Sequence, residues 1–164
     1  MQHDHEERIL RNPALTARAF WHLARSHSEH GGGRAPELPQ FLLGAAMIFH
    51  EATVERTHRM RFDTGLEKAV SECPDMLFGL QRRLDDNALP ALEGLQVACA
   101  AGLLIRVEGS RFPGIAAAGT QLPPSLRDAA MPVAKLFACA RRFGAWYAAE
   151  DPLRLTARWV HIEL

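Results

Sequence analysis

The chain has 164 residues, and its 19 basic and 19 acidic side chains give a formal net charge of zero. That balance argues against nucleic-acid binding as the main role, because proteins that bind the phosphate backbone usually carry a basic excess. A chain of this length buries about two thirds of its unfolded surface and needs no disulfide staples. Cys73, Cys99 and Cys139 are widely spaced along the sequence. We interpret Cys99 and Cys139 as small core residues in a reducing compartment.

The amino terminus is polar and charged, so it does not resemble a secretory signal peptide. No apolar run approaches the ~20 residues that a transmembrane helix requires. The sequence therefore predicts a cytoplasmic protein without membrane contact. We expect a flexible lead-in over residues 1–11 and one compact domain over 12–164. Within that domain, a winged-helix-like unit is expected at about 38–114, and a long helix and a strand at 125–163.

Helical patterns dominate the first part of the chain. The Asn12-Pro13 pair is typical of a helix start, and the apolar spacing extends this helix to about Glu29. A glycine-rich linker over 31–36 precedes a second helix near 38–49. That helix is apolar almost all round, so we predict that it is the most buried element. Residues 50–59 are expected to form a polar, partly basic connection.

Two further helix starts are predicted before residue 88. Asp63-Thr64 can cap a third helix that runs through Ser71, with Glu67 placed for a capping box. Pro74-Asp75 is expected to open a fourth helix, because proline is favoured in a first helical turn. Arg82-Arg83 on that helix are predicted to point mostly outward.

A helix followed by a β-hairpin is predicted over 88–114. Pro90 suits a first helical turn, and Gly102 suits the left-handed residue that ends a helix. Strand alternation covers 103–107, and residues 111–112 can return before the following proline stops the pairing. This arrangement is the final element of a winged-helix unit, and an ordinary helix-hairpin is the alternative. The predicted buried face of the helix consists of Leu92, Leu95, Cys99 and Leu103.

The last third of the chain is predicted to hold a loop, a long helix and a strand. Residues 114–124 are expected to form a surface loop. A helical pattern starts at Ser125, and Pro132 either kinks this helix or marks its true beginning. Alternation over 153–159 predicts a carboxy-terminal strand, which could join the hairpin in a three-stranded sheet. The fold class predicted from these elements is α+β, mostly α, with a helical body, a winged-helix-like helix–β-hairpin and a carboxy-terminal strand.

Catalytic and metal-binding patterns are not found in the sequence. His50-Glu51 begins like a zinc-protease motif, but Val54 stands where the second histidine would be needed. There is no nucleophile-elbow motif, and no cysteine has a histidine nearby in sequence. An enzyme could use only the polar cluster of His50, Thr53, Glu55 and His58. We therefore predict no catalytic activity, no metal and no cofactor.

Several arginines could follow a DNA backbone if the fold placed them on one face. The equal number of acidic residues favours the alternative, in which these arginines lie on solvated faces and pair with nearby carboxylates. The helix predicted after Pro90 contains neither Arg nor Lys, which argues against base readout through it. The arginines concerned are Arg56, Arg59, Arg61, Arg82, Arg83, Arg106, Arg111, Arg141 and Arg142.

Short motifs follow one another in a characteristic order from about residue 10 to residue 160. They are Asn12-Pro13-Ala14, His50 with Thr53 and Glu55, Pro74 with Leu77 and Arg82-Arg83, Ala98 with Gly102-Leu103-Leu104 and then Pro113-Gly114, and Trp159 in the final strand. With these motifs the chain resembles the small middle component of bacterial three-component ABC-ATPase systems, a family long described as a domain of unknown function. One departure is Glu51-Ala52, where the family usually has Lys-Pro.

The resemblance implies a non-catalytic adaptor that bridges an SMC-like ABC ATPase and an effector-bearing subunit. It also implies a role in defence against phages and plasmids, in which DNA is reached only through the complex. The alternative is a free-standing winged-helix DNA-binding regulator. The predicted partner interface consists of His50, Thr53, Glu55, Arg56, Arg82 and Arg83.

Overall fold

The computed structural model describes residues 12–151 and Arg154. In this part of the chain, six α-helices accompany a two-stranded antiparallel sheet, which confirms the predicted α+β, mostly helical class. The lead-in at 1–11 and the predicted strand at 153–159 lie outside the described residues. The elements are, in chain order, α1 (Pro13–His30), α2 (Leu38–Ile48), α3 (Glu51–Thr57), α4 (Leu66–Glu72), α5 (Leu80–Ala100), β1 (Leu104–Val107), β2 (Gly114–Ala117) and α6 (Val133–Ala149).

α1 begins where the sequence predicts it. The Asn12 side-chain oxygen accepts hydrogen bonds from two backbone N–H groups of the first turn, at 3.1 and 3.2 Å. Pro13 occupies the first helical position, where the N–H that it lacks would have no intrahelical partner. Further along, Phe20 and Leu23 are completely buried, as the apolar spacing predicts. The cap and the buried face together fix where α1 starts and which side faces the core.

The hydrophobic core is built around α1, which packs against α5, α6 and β2. Phe20 of α1 meets Phe41 of α2 edge to face, with ring centroids 5.2 Å apart. Such a pair contributes about 1 kcal/mol beyond the area that it buries, so it helps to hold α2 against α1. α2 is buried over most of its length, as its apolar sequence predicts.

α5 is longer than predicted. The helices expected to start at Pro74 and near Pro90 are a short 3₁₀ turn and one continuous helix, and Pro90 lies inside that helix. A proline inside a helix removes the hydrogen bond to the carbonyl four residues earlier. That carbonyl belongs to Asp86, an exposed residue, so water can replace the missing N–H group. The helix therefore continues through its proline.

The inner face of α5 also differs from the prediction. Gly94 of α5 lies directly against Thr16 of α1, and helices that approach this closely leave no room for large side chains between them. Leu92 and Cys99 are exposed, which corrects their predicted burial, whereas the predicted burial of Leu103 is confirmed. The buried residues of α5 are Leu80, Leu84, Asn87, Ala91, Gly94, Leu95 and Ala98.

The hairpin forms, but its second strand lies further along the chain than predicted. β1 pairs with β2 in the antiparallel register that places Leu104 opposite Ala117. Residues 111–112, predicted to return as a strand, belong to the connecting loop. The segment at 114–124, predicted as a loop, contains β2.

Glu37 explains where the hairpin loop ends. Its carboxylate accepts hydrogen bonds from the backbone N–H groups of residues 110–112 and from the Ser110 hydroxyl. Burial alone would raise the pKa of Glu37, but these hydrogen bonds outweigh burial and lower it. The backbone of Glu37 also forms an isolated antiparallel bridge with Gly114. Glu37, in the segment before α2, therefore holds residues 110–112 in the loop, and β2 begins only at Gly114.

Three boundaries elsewhere were either misplaced or left open by the sequence. The stretch 50–59, predicted as a connection, contains the helix α3. α4 begins after Gly65 and not at Asp63-Thr64. Its first two N–H groups donate to Glu150 Oε2 at 2.7 and 3.1 Å, so Glu150 replaces the predicted capping box. α6 starts directly after Pro132, which settles the two alternatives in favour of a true helix beginning there.

Candidate functional site

Two of the predicted interface residues, His50 and Thr53, are engaged with each other. The His50 Nδ1 atom lies 2.8 Å from the Thr53 hydroxyl, and His50 is the residue that precedes the first turn of α3. Thr53 is completely buried. Thr57, one turn later, donates its hydroxyl to the Thr53 carbonyl at 2.8 Å. These contacts stabilise α3 from within, so Thr53 has no surface to offer a partner.

Arg83 is a structural residue and not an outward one. Its guanidinium donates hydrogen bonds to the backbone carbonyls of Ala46, Met76 and Phe78. These carbonyls belong to α2 and to the turn that leads into α5. Hydrogen bonds from a charged donor contribute about 1.5–3 kcal/mol each in favourable settings. Arg83 therefore fixes the start of α5 on the helical body.

The remaining predicted residues lie on the surface in separate ion pairs. Glu55 accepts hydrogen bonds from Lys135 Nζ at 2.8 and 3.0 Å, and chiefly this contact lowers the pKa of Glu55. Arg56 pairs with Asp75 at 3.2 Å. Arg82, which is 88% exposed, lies 3.6 Å from Asp86. Exposed pairs of this kind contribute little to stability. Glu55, Arg56 and Arg82 are thus the exposed members of the predicted interface, which stays a prediction.

A different surface stands out, on the outer side of α5. Leu89, Leu92 and Val97 are exposed there, at positions that helical spacing places on one side together with Glu93 and Gln96. We call these five residues the α5 outer surface.

Exposed apolar residues are concentrated around this helix. Eight large apolar side chains are exposed in the described part of the chain, and five of them lie on α5 or within a few residues of its ends. Phe78, directly before α5, is 74% exposed, and Leu89 is 66% exposed. Large exposed apolar residues clustered on one element are typical of a surface that binds another protein. The five are Phe78, Leu89, Leu92, Val97 and Ile105.

The helix face predicted from the sequence shares only Leu92 with this surface, and the prediction assigned that residue to the core. Leu92 was predicted to be buried because periodicity identifies an apolar face without saying what covers it. The signal that could have corrected the assignment is the second stripe of small residues, Ala91, Gly94 and Ala98, on the opposite side of the same helix. A helix that carries a leucine stripe on one side and a small-residue stripe on the other can pack against its neighbour with either side.

Three features of the described residues bear on metal binding, thiol reactivity and membrane-spanning helices. No group of three or more His, Cys, Asp or Glu side chains between residues 12 and 151 is arranged to hold a metal ion. Burial raises the pKa of the Cys139 thiol to about 12, which is the opposite of what a nucleophile requires. Among the helices described, none is both long enough and apolar enough to cross a membrane.

Comparison with known proteins identifies the family. Residues 1–159 match the family model described as ABC-three component (ABC-3C) system Middle Component 3. Comparisons with curated proteins and with solved structures gave no match. The matched range covers almost the whole chain and includes every motif that carries the resemblance noted from the sequence. The chain therefore belongs to the middle component 3 family of ABC-three component systems.

Proposed function

We propose that the protein is a non-catalytic adaptor that bridges an SMC-like ABC ATPase and an effector-bearing subunit in defence against phages and plasmids. Membership of a middle-component family supports a role beside other components of an ABC system. The observation that carries the proposal is the α5 outer surface, where Leu89, Leu92 and Val97 are exposed to water. A partner that covered this surface would remove apolar side chains from water, which favours association.

Burial of these leucines contributes part of the binding energy that a specific contact needs, because association itself costs about 4–15 kcal/mol. Complete burial of one leucine is worth about 1.5–3 kcal/mol. Leu89 and Leu92 are 66% and 44% exposed, so a partner that covers both gains roughly 1–2 kcal/mol from Leu89 and roughly 0.7–1.3 kcal/mol from Leu92. Phe78, directly before α5, is the most exposed aromatic ring in the described residues. A few apolar anchors of this kind usually supply most of the binding energy of an interface.

The alternative function, a free-standing winged-helix DNA-binding regulator, has less support. In such a regulator α5 would be the recognition helix and the following hairpin the wing, but α5 contains no basic residue after Arg83. Arg83 itself is engaged with three backbone carbonyls. A recognition helix reads base edges with polar and basic side chains, whereas this one exposes leucines. The exposed leucines of α5 and its lack of basic residues after Arg83 thus support binding to a protein and not to DNA.

An enzymatic function is also less well supported. Thr53, central to the polar cluster on α3, is buried and bonded to His50. Glu55 is paired with Lys135, and the His58 Nδ1 atom lies 2.9 Å from the Val54 carbonyl. A catalytic pair requires an acid or base within hydrogen-bond reach of a nucleophile in an open pocket. The contacts of this cluster support a structural role.

The test is reconstitution with the two other subunits of the same system. Tagged protein would be co-expressed with the ABC ATPase and the effector-bearing subunit, and the complex would be analysed by affinity capture and size-exclusion chromatography. We expect stoichiometric recovery of both partners. Leu89→Asp and Leu92→Asp should each weaken capture of at least one partner by about tenfold or more, because a charge would replace an apolar anchor.

Met131→Asp is the matched control, since Met131 is a 63% exposed apolar residue that lies just before α6 and not on α5. It should leave both affinities within about twofold of wild type, as expected for a residue outside the interface. Failure of the wild-type protein to bind either subunit would refute the adaptor function. Wild-type binding that survives both leucine variants would show that partners dock elsewhere.

A further inference from the structure

A cationic notch lies where α1 packs against α6. It consists of Arg18 and His22, one turn apart on α1, and Arg141 on α6. The Arg141 Nη1 atom lies 3.5 Å from His22 Nδ1. At the same level, the Ser26 hydroxyl donates a hydrogen bond of 2.6 Å to the Arg141 backbone carbonyl, which ties the two helices together. The three side chains are therefore held near one another by the packing of α1 on α6.

The α1 side of the cationic notch is rigid. The Arg18 guanidinium lies over the Phe137 ring, 4.8 Å from its centroid, and also donates to the carbonyls of Leu126 and Asp128 at 2.8 and 2.9 Å. The His22 ring packs against the same Phe137 ring, with centroids 4.7 Å apart. Arg18 and His22 thus have fixed positions before any partner arrives.

The positive charge of the cationic notch is not balanced within the described part of the chain. No carboxylate there lies within ion-pair distance of Arg18 or Arg141, although Arg25, one turn further on α1, is paired with Glu29 at 2.9 Å. Burial, followed by the charges of Arg141 and Arg18, lowers the pKa of His22 to about 4. At neutral pH the notch therefore holds a neutral imidazole between two half-buried cations.

We propose that the cationic notch binds a carboxylate from an acidic side chain of a partner subunit, with Arg141 as its principal contact. The inference rests on the adaptor function proposed above. A half-buried guanidinium without a counter-ion is costly, and a carboxylate can bind it through two parallel hydrogen bonds. Apart from the 3.5 Å contact with His22 Nδ1, the Arg141 guanidinium makes no side-chain hydrogen bond or ion pair to the described residues, so the rest of its fork is available to a carboxylate.

A protein carboxylate fits this site better than the phosphates of DNA. The available group of the notch is one guanidinium, that of Arg141 beside the His22 ring, which suits a single anion, whereas a DNA backbone is followed by cations spaced along its strands. The zero net charge of the chain also lacks the basic excess that backbone binding usually requires. The cationic notch would therefore add recognition of a charged partner residue to the apolar contacts that we propose for the α5 outer surface.

The test compares Arg141→Gln, Arg141→Lys and Arg61→Gln as full-length proteins. Their affinities for the purified ABC ATPase, for the effector-bearing subunit and for a short DNA duplex would be measured, with Tm as a check of folding. We expect Arg141→Gln to lose about tenfold or more in affinity for one subunit, because it would leave a partner carboxylate without its counter-ion. Arg61→Gln is the control, since Arg61 is 82% exposed and paired with Asp63; it should remain within about twofold.

The outcomes separate the two proposals. Wild-type affinity in Arg141→Gln for both subunits overturns the cationic notch and leaves the adaptor function standing. A wild-type protein that binds neither subunit overturns both. A loss confined to the DNA duplex overturns the carboxylate assignment in favour of phosphate. If Arg141→Gln is too unstable to measure, Arg141→Lys decides: a severalfold loss supports the two-bond contact, and wild-type affinity overturns it.

Discussion

Replacing Gly94 by Ala tests the close packing of α5 on α1. A Cβ atom on Gly94 would lie 2.2 Å from Thr16 Cγ2 and 2.7 Å from Thr16 Cβ. Carbon atoms normally approach to about 3.5–4.0 Å, so one helix would have to move outward by roughly 1 Å or more. Thr16 cannot simply turn away, because it is completely buried and its hydroxyl lies 3.3 Å from the Asn12 carbonyl. The substitution therefore overpacks the α1–α5 contact.

Two effects of opposite sign decide the magnitude. Alanine is favoured over glycine inside a helix by about 1 kcal/mol, which would stabilise α5. Overpacking a well-filled core costs about 1–3 kcal/mol, and the two short contacts with Thr16 place Gly94→Ala near the upper end. We expect a net loss of about 2 kcal/mol in the free energy of unfolding. In a chain of this length that corresponds to a decrease of roughly 4–8 °C in Tm.

Urea denaturation followed by circular dichroism gives the free energy directly. Thr16→Ser removes the γ-methyl group that the new Cβ would strike, so the double variant with Gly94→Ala should recover part of the loss. We expect a coupling energy of about 1 kcal/mol between the two substitutions. Gln96→Ala, at an exposed position of α5, should change the stability by less than about 0.5 kcal/mol. If Gly94→Ala stabilises the protein as helix propensity alone predicts, the packing argument is wrong.

Three further predictions concern the hairpin loop, α4 and the thiols. Glu37→Gln should lower the free energy of unfolding by about 1 kcal/mol, a small value because the carboxylate is accessible to water. The folded-state pKa of Glu37 is lowered from 4.5, so equilibrium unfolding should show the difference from wild type above pH 4.5 and a shrinking difference below it. Glu150→Ala should lower the free energy of unfolding by about 1 kcal/mol, because α4 loses its capping carboxylate; unchanged urea midpoints would contradict this. A thiol reagent at pH 8 should modify exposed Cys99 rapidly and buried Cys73 and Cys139 only upon unfolding, which mass spectrometry would check.

Local signals in the sequence were sufficient for several elements. The Asn12-Pro13 pair predicted the start of α1, because a cap and a proline act on the residues next to them. The uninterrupted apolar character of 38–49 predicted the burial of α2. The pattern around Gly102 predicted a helix followed by a hairpin, and Gly102 does adopt a positive φ of 72°. Each of these features depends on interactions within a few residues of the chain.

The errors arose where a distant residue decides the local structure. Glu150 caps α4 from the other end of the sequence, so the capping-box pattern at Asp63-Thr64 was misleading. Glu37 holds the hairpin loop closed, which shifts β2 beyond the predicted return at 111–112. Arg83 was predicted to be outward because it is charged, yet three carbonyls from other elements bind it. Such contacts depend on the tertiary fold and leave no signal at the position that they affect.

α5 shows most clearly how fold and function share one sequence. Its small residues, including Gly94, allow close contact with α1, and its leucines, including Leu92, remain exposed on the other side. If the leucines served only the fold, Leu92→Asp would unfold the protein; because Leu92 is exposed, we expect that variant to keep its stability and lose partner binding. Gly94→Ala should instead reduce stability and affect binding only through the loss of folded protein. The two faces of one helix thus separate what holds the protein together from what we propose a partner recognises.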